Sequence, residues 1–217
     1  MEVEELEDAE AAAQRCAAVL AAEIVAGARD IGLTGGTSPL RAYELLGPML
    51  ASWEGVRLWY GDERCVPFDD EESNHGSVRE RLTAPGADWR PMPGELGPDA
   101  GAAAYAREWG DTVLDVLLLG MGPDGHVASL MPGGSQIDAT GVAVGVHDSP
   151  KPPPQRISLT LGTINASRRI VLLVTGEGKR EKLARVVDPD ARADRDVPAT
   201  LLARDRLLVI ADRAALG

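Results

Sequence analysis

The chain has 217 residues, enough for one or two domains with a substantial hydrophobic core. Its 34 acidic and 22 basic residues give a net charge of −12, which excludes a basic surface for nucleic acid or an anionic membrane. Cys16 and Cys65 lack metal-ligand spacing, and isolated cysteines are typical of a reduced compartment. No apolar run approaches the roughly 20 residues of a membrane helix. We therefore expect a cytoplasmic globular protein.

The N-terminal part of the chain predicts a helix, a strand, a tight turn and a second helix. Apolar residues recur at helical spacing over Ala9–Ala28, after a cluster of acids that suits a helix N-terminus. Asp30–Thr34 is a short apolar run typical of a strand, and the helical period resumes over Leu40–Leu50. Between them lies Gly35–Pro39, with the sequence GGTSP.

Apolar runs at Val56–Tyr60 and Leu114–Leu119 predict two further strands, each followed by a polar loop. Later strands are expected over Gly141–Val146, Arg156–Leu161, Ile170–Val174 and Leu207–Ile210, and a helix over Glu177–Val187. Strands that alternate with helices predict an α/β fold with a mostly parallel sheet. The Pro/Gly-rich stretches Pro85–Gly101 and Ser149–Pro154 are candidate hinges but too short to separate domains, so we expect one domain over residues 1–217.

In a parallel sheet, ligands bind at the carboxyl ends of the strands, where the loops after Thr34, Tyr60 and Leu119 would meet. The first of these loops, GGTSP, combines open backbone N–H groups, two hydroxyls and a helix N-terminus. This composition suits an anion such as phosphate, although a tight turn without a ligand would have the same sequence.

The second loop places Asp62, Glu63 and Arg64 directly after a strand. Such a run is often a solvated surface turn, but its position at a strand end favours a role in the site. The residues that follow, Ser73–His75, are typical of a helix N-cap.

The third loop, GMGPDGHVASL at Gly120–Leu130, carries His126 two residues after Asp124. The glycines leave the histidine accessible, and the aspartate is a possible orienting acid. His126 is therefore the candidate general base.

Basic residues near these loops could complete an anion site. Arg156 follows a proline run, and Lys179 follows a glycine-rich turn at the start of a helix. Either residue alone is usually a solvated charge. Together, the planar guanidinium of Arg156 and the compact ammonium of Lys179 could both bind a phosphate dianion. Lysine is rare in this chain, with Lys151 and Lys182 as the only others, so each lysine is of interest.

Five motifs taken together resemble the 6-phosphogluconolactonase family. In family order they are TGGTSP at Thr34–Pro39, DERCVP at Asp62–Pro67 with Ser73–Asn74, LGMGPDGHVASL at Leu119–Leu130, PPQRISLT at Pro153–Thr160 and GEGK at Gly176–Lys179. The resemblance covers most of the chain and implies a Rossmann-like α/β fold. It also implies hydrolysis of 6-phospho-D-glucono-1,5-lactone to 6-phospho-D-gluconate, the second step of the oxidative pentose phosphate pathway.

A lactone is an activated ester, so its hydrolysis needs no metal or other cofactor. We expect His126 to act as general base toward water, Asp124 or Asp62 to orient it, and Arg64 to polarise the lactone or bind its hydroxyls. The phosphate-binding candidates are Gly35, Gly36, Thr37, Ser38, Arg156 and Lys179. Backbone N–H groups of Gly122–Gly125 are candidate oxyanion donors. We expect the sugar-phosphate lactone as partner and a monomer or weak dimer.

Two alternatives stay open from the sequence. Glucosamine-6-phosphate deaminase shares the implied fold and an Asp-Gly-His loop, but in that family a glutamate five residues after the histidine helps to orient it. Here that position is Met131, and the Arg64–Pro67 continuation also resembles the lactonase. A non-catalytic sugar-phosphate sensor is the second alternative, against which the presence of His126 and Asp124 argues.

Overall fold

The expected alternation of strands and helices is present in the computed structural model, which describes residues 1–217. In chain order the elements are β1 (Glu2–Leu6), α1 (Ala9–Val25), β2 (Asp30–Leu33), α2 (Thr37–Leu46), β3 (Arg57–Tyr60), β4 (Asp62–Arg64), α3 (Asn74–Arg81), β5 (Asp88–Trp89), α4 (Pro98–Trp109), β6 (Val116–Gly120), β7 (Ala143–Val146), β8 (Arg156–Leu159), α5 (Leu161–Ala166), β9 (Arg169–Val174), α6 (Arg180–Val187), β10 (Leu207–Asp212) and α7 (Arg213–Leu216). None of these helices is long and apolar enough to cross a membrane.

Seven strands form one sheet in the order β1-β10-β9-β6-β2-β3-β5, and every neighbouring pair in it is parallel. Helices flank this sheet, so the predicted α/β, Rossmann-like architecture is confirmed. The central strands are covered on both faces, which explains why β6 is a continuous apolar run without alternation. The order in which successive strands are added to the sheet reverses between β2 and β6, and this switch point is where parallel sheets bind ligands.

A second, three-stranded sheet has the order β4-β8-β7 and is antiparallel. The strands expected over Gly141–Val146 and Arg156–Leu161 therefore form a hairpin in this small sheet and are not part of the parallel one. The candidate hinge Ser149–Pro154 lies in the loop of this hairpin. Pairing of β4 with β8 places Arg64 opposite Arg156, which brings two predicted site residues together.

The sequence did not predict several of these elements, among them β1 and α4. The acidic N-terminal segment forms β1, an edge strand where charged side chains remain in solvent. The helix α4 starts inside the stretch Pro85–Gly101, because Pro98 occupies its first turn and Gly97 (φ +81°) precedes it. The charged composition of its segment obscured β1, and the turn-like composition of its first residues obscured α4.

Candidate active site

A cleft of about 240 Å³ lies at the carboxyl ends of β2, β6 and β9, beside the small sheet. Nine of the ten predicted site residues line it, namely Gly35, Gly36, Thr37, Ser38, Asp62, Arg64, His126, Arg156 and Lys179. The tenth, Asp124, lies behind the histidine and contacts it. The fold therefore gathers the predicted residues at one place.

The first loop ends in the N-terminus of α2, which opens onto the cleft. Gly36 has φ +103° and caps the helix without a side-chain hydrogen bond, so the N–H groups of Thr37 and Ser38 have no partner within the protein. A Cβ atom on Gly35 would lie 2.0 Å from Oδ1 of Asn74, so no side chain fits there. The arrangement presents backbone donors to an anion.

Lys179 also lines the cleft, in the turn that leads into α6. Its ammonium group has no hydrogen-bond or ion-pair partner in the protein. Burial lowers the pKa of Lys179, while the nearby charge of Asp212 opposes this shift. A partly buried, unpaired ammonium group is costly, so this position favours an anionic ligand.

Arg156 is buried in the cleft wall, with 4% of its surface exposed. Its Nε donates to the carbonyl of Pro153 at 3.0 Å, and Nη2 donates to the carbonyls of Lys151 and Pro152 at 3.0 and 3.3 Å. Burial lowers the pKa of Arg156, partly offset by the charge of Asp62. Arg156 is therefore tied to the hairpin loop, and Nη1 is left without a partner in the protein.

His126 and Asp124 form the closest polar pair of the site, with 2.5 Å between Nδ1 and Oδ1. Burial alone would raise the pKa of Asp124, but the hydrogen bond from His126 and the charges of His126 and Lys151 hold it well below its usual range. An ionised carboxylate only accepts, so Nδ1 carries the proton and Nε2 keeps its lone pair. The ring lies over Gly122, where a Cβ atom would be 2.1 Å from it.

Asp62 does not contact His126. Its Oδ2 accepts a 2.7 Å hydrogen bond from the Ser129 hydroxyl, and its Oδ1 accepts one from the Asn74 amide at 3.2 Å. Of the two acids that the sequence offered as orienting partners, the structure brings only Asp124 to the imidazole. Asp62 instead forms a fixed, nearly buried wall of the cleft.

The loop that carries His126 is held by its own backbone. Gly122 donates its N–H to the carbonyl of His126, and Gly125 donates to the carbonyl of Gly122, both at 3.0 Å. Ala128 has φ +49°, the only non-glycine residue in the left-handed region, a strain typical of functional loops. Two of the expected oxyanion donors, Gly122 and Gly125, are thus already engaged within the loop.

Arg64 reaches the cleft from β4. Its Nη1 donates to the carbonyl of Glu72, and its Nε is buried without a hydrogen-bond partner. A buried donor without a partner is costly. The guanidinium therefore has capacity to bind a polar ligand.

Among the cleft residues that the sequence did not predict as site residues are Asn74 and Lys151. Asn74 looked like a helix-cap residue because it follows Ser73, which indeed caps α3. Lys151 lies in a proline-rich loop far in sequence from the three loops that follow Thr34, Tyr60 and Leu119, and only the scarcity of lysine pointed to it.

The other two histidines lie outside the cleft. Burial, together with the charge of Arg79, lowers the pKa of His75 to about 4, and its Nδ1 bonds the Tyr60 hydroxyl at 2.8 Å. His147 is exposed and pairs with Asp99 at 3.0 Å. His126 is the one histidine that lines the cleft.

Glu63 is fully buried between two site residues and links β4 to α3. Its oxygens accept hydrogen bonds of 2.7 Å from the backbone N–H groups of Arg64, Asn74 and His75, and one of 3.2 Å from the Ser73 hydroxyl. Burial raises the pKa of Glu63 to about 7, although the backbone donors oppose the shift. The carboxyl group therefore fixes the strand that presents Asp62 and Arg64.

This raised pKa predicts a pH dependence of stability. The folded carboxyl keeps its proton up to about pH 7, whereas the unfolded one has the ordinary pKa of 4.5. The free energy of unfolding of the wild type should therefore fall relative to Glu63→Gln by about 2–3 kcal/mol between about pH 5 and pH 8. Urea unfolding at both pH values measures this, with the exposed Glu71→Gln as control. An equal difference between the proteins at both pH values would contradict the prediction.

Comparison with known proteins identifies a matching family and several relatives of this chain. The family model described as glucosamine-6-phosphate isomerases/6-phosphogluconolactonase matches residues 4–210. A 6-phosphogluconolactonase of Mycobacterium tuberculosis is 38% identical, over 94% of this chain and 91% of that protein. The structure of a 6-phosphogluconolactonase from Shewanella baltica superposes with a TM-score of 0.85 at 26% identity, covering 98% of this chain and 97% of that one. A monomeric glucosamine-6-phosphate deaminase has a TM-score of 0.83 at 23% identity, covering 99% and 98%, which shows a shared fold alone.

Proposed function

The chain belongs to the glucosamine-6-phosphate isomerase/6-phosphogluconolactonase family, and we propose that it hydrolyses 6-phospho-D-glucono-1,5-lactone to 6-phospho-D-gluconate. One observation carries the proposal. The His126–Asp124 pair lies in the same cleft as the unpaired Lys179 ammonium and the open N-terminus of α2. A base and an anion site in one cleft fit a substrate that carries both a lactone and a phosphate.

In this proposal Nε2 of His126 removes a proton from water as the water oxygen attacks the lactone carbonyl carbon. The tetrahedral oxyanion then collapses, the bond from carbon to the ring oxygen breaks, and the imidazolium returns its proton to that oxygen. Asp124 holds the Nδ1 proton and stabilises the imidazolium between these two steps. The balance is one water consumed, and the carboxylic acid product ionises at neutral pH.

The phosphate end would bind to Lys179, to Nη1 of Arg156 and to the first loop. The loop contributes the backbone of Gly35 and Gly36 with the N–H and hydroxyl groups of Thr37 and Ser38. All these donors are neutral or positive, and none of them donates a hydrogen bond to a carboxylate of the protein. Such a set of hydrogen-bond donors suits a phosphate dianion.

At the reacting end, the unpartnered Nε of Arg64 would donate to the lactone carbonyl or to a ring hydroxyl. Asp62 is fixed by Ser129 and Asn74 and would accept a hydrogen bond from a substrate hydroxyl. This division gives Asp62 a role in binding and leaves the orientation of His126 to Asp124.

The assay that tests the proposal uses two substrates. We expect the purified protein to release acid from the phosphorylated lactone well above the spontaneous rate, and no ammonia from glucosamine 6-phosphate near neutral pH. The deaminase reaction needs an acid where this chain has the buried, uncharged Met131. Ammonia release would favour the deaminase reading, and binding of 6-phosphogluconate without turnover would favour a sensor.

We also infer one domain over residues 1–217, supported by a single contiguous core of 54 buried residues. The cleft is complete within one chain, so a monomer or weak dimer is sufficient for the reaction. Free Cys16 and Cys65 fit a cytoplasmic location. The net charge of −12 fits the absence of a nucleic-acid or membrane partner.

A further inference from the structure

Lys151 lies beside the catalytic pair, although it comes from a distant part of the chain. It is carried by the loop between β7 and β8 and lines the cleft. Its Nζ is 3.5 Å from Oδ1 of Asp124 and 3.4 Å from Nδ1 of His126. Because the Nδ1–H group and the ammonium are both donors, they share one acceptor, the Oδ1 atom of Asp124.

Without the ammonium, the Asp124 carboxylate would have space to turn away from the imidazole. Asp124 also borders a second cavity of about 310 Å³, which lies next to Met131, Gly134 and Asp148. Its side chain is 32% exposed, so water competes for its oxygens. A second donor on the cleft side therefore matters for its orientation.

The loop that carries Lys151 is held in place by hydrogen bonds from Arg156 and by one of its own backbone hydrogen bonds. The buried Arg156 guanidinium donates to the carbonyls of Lys151, Pro152 and Pro153. At the loop ends, Ser149 donates its N–H to the carbonyl of Pro154 at 3.0 Å. Because three successive carbonyls accept hydrogen bonds from the one rigid guanidinium group of Arg156, the backbone of Lys151 is held at a fixed position relative to the cleft.

We propose that Lys151 is a positioning residue whose ammonium holds the Asp124 carboxylate against Nδ1–H of His126, so that Nε2 remains the nitrogen without a proton. The inference deepens the proposed lactone hydrolysis and rests on it for its effect on rate. Its structural content, the tautomer of His126, is independent of any substrate.

The kinetic test compares Lys151→Met with Lys151→Arg. We expect Lys151→Met to lower kcat for the phosphorylated lactone by about 10-fold with KM changed less than about 2-fold, since an imidazole in the wrong tautomer cannot accept the water proton. Lys151→Arg keeps the charge and should stay within about 3-fold of wild type. Lys182→Met, which removes a lysine that lies outside the cleft and pairs with Glu181, is the matched control and should keep the wild-type kcat and KM.

A measurement of the His126 tautomer, which needs no substrate, tests the role of Lys151 separately from the proposed lactone hydrolysis. In ¹⁵N NMR spectra of the imidazole nitrogens, assigned by comparison with His126→Gln, wild type and Lys151→Arg should show the Nδ1–H tautomer of His126. Lys151→Met should show a larger Nε2–H fraction. An unchanged tautomer in Lys151→Met, or a loss mainly in KM, overturns the role of Lys151. A wild type that does not hydrolyse the lactone overturns the proposed function, while the tautomer measurement still decides the role of Lys151.

Discussion

His126→Ala is expected to lower kcat for the phosphorylated lactone by about 10²–10⁴-fold, the usual contribution of a general base. The imidazole is oriented by a 2.5 Å contact with Asp124, and its Nε2 is left free to accept the proton of water. Removal of the ring leaves the phosphate end of the cleft intact, so the affinity for 6-phosphogluconate should change little. Acid release in a pH-stat, with the spontaneous rate subtracted, measures the loss, and calorimetry measures the affinity.

The matched control is His147→Ala, because His147 is exposed and lies outside the cleft. It should retain wild-type kcat. Turnover that survives in His126→Ala at the wild-type rate would refute the assignment of the base. Equal losses in the two variants would point to a general effect of histidine removal on the fold.

The sequence predicted well which residues would lie together, because strand ends are local features. Buried parallel strands such as β6 are recognisable as apolar runs, and the polar loops that follow them must meet at one edge of the sheet. Nine predicted residues accordingly line one cleft. The acidic strand β1 and the helix α4 escaped prediction, because tertiary pairing overrides the turn-like and charged composition of their segments.

Contacts between side chains were less predictable. Asp62 follows β3 and Asp124 lies in the loop after β6, and only the folded structure shows that Asp124 contacts the imidazole while Asp62 bonds Ser129. The hairpin that carries Lys151 forms by antiparallel pairing across nine intervening residues, from 147 to 155. A pattern of βαβ units does not predict such a pair. The place of Lys151 beside His126 therefore comes from the structure alone.

Arg156 is a poor probe of phosphate binding, because its Nε and Nη2 support the hairpin loop. Its removal should affect both ends of the substrate, through the phosphate and through Lys151. Lys179 differs, since its ammonium group has no hydrogen-bond or ion-pair partner in the protein and supports no loop of the site. A substitution at Lys179 is thus the clean test of the phosphate end.

Lys179→Met should lower kcat/KM for the phosphorylated lactone by about 10²-fold or more, which is the usual cost of removing one partner of a desolvated charge pair. The same variant should change kcat/KM for unphosphorylated glucono-1,5-lactone by less than about 3-fold, because that substrate has no dianion for the lysine to bind. Lys182→Met, which removes a lysine on α6 outside the cleft, is the control and should leave both values unchanged. Burial already lowers the pKa of Lys179, so an incoming dianion finds an ammonium group that is weakly hydrated and lacks a competing ion pair. Equal losses for the two lactones would instead place Lys179 in the support of the fold or at the reacting end.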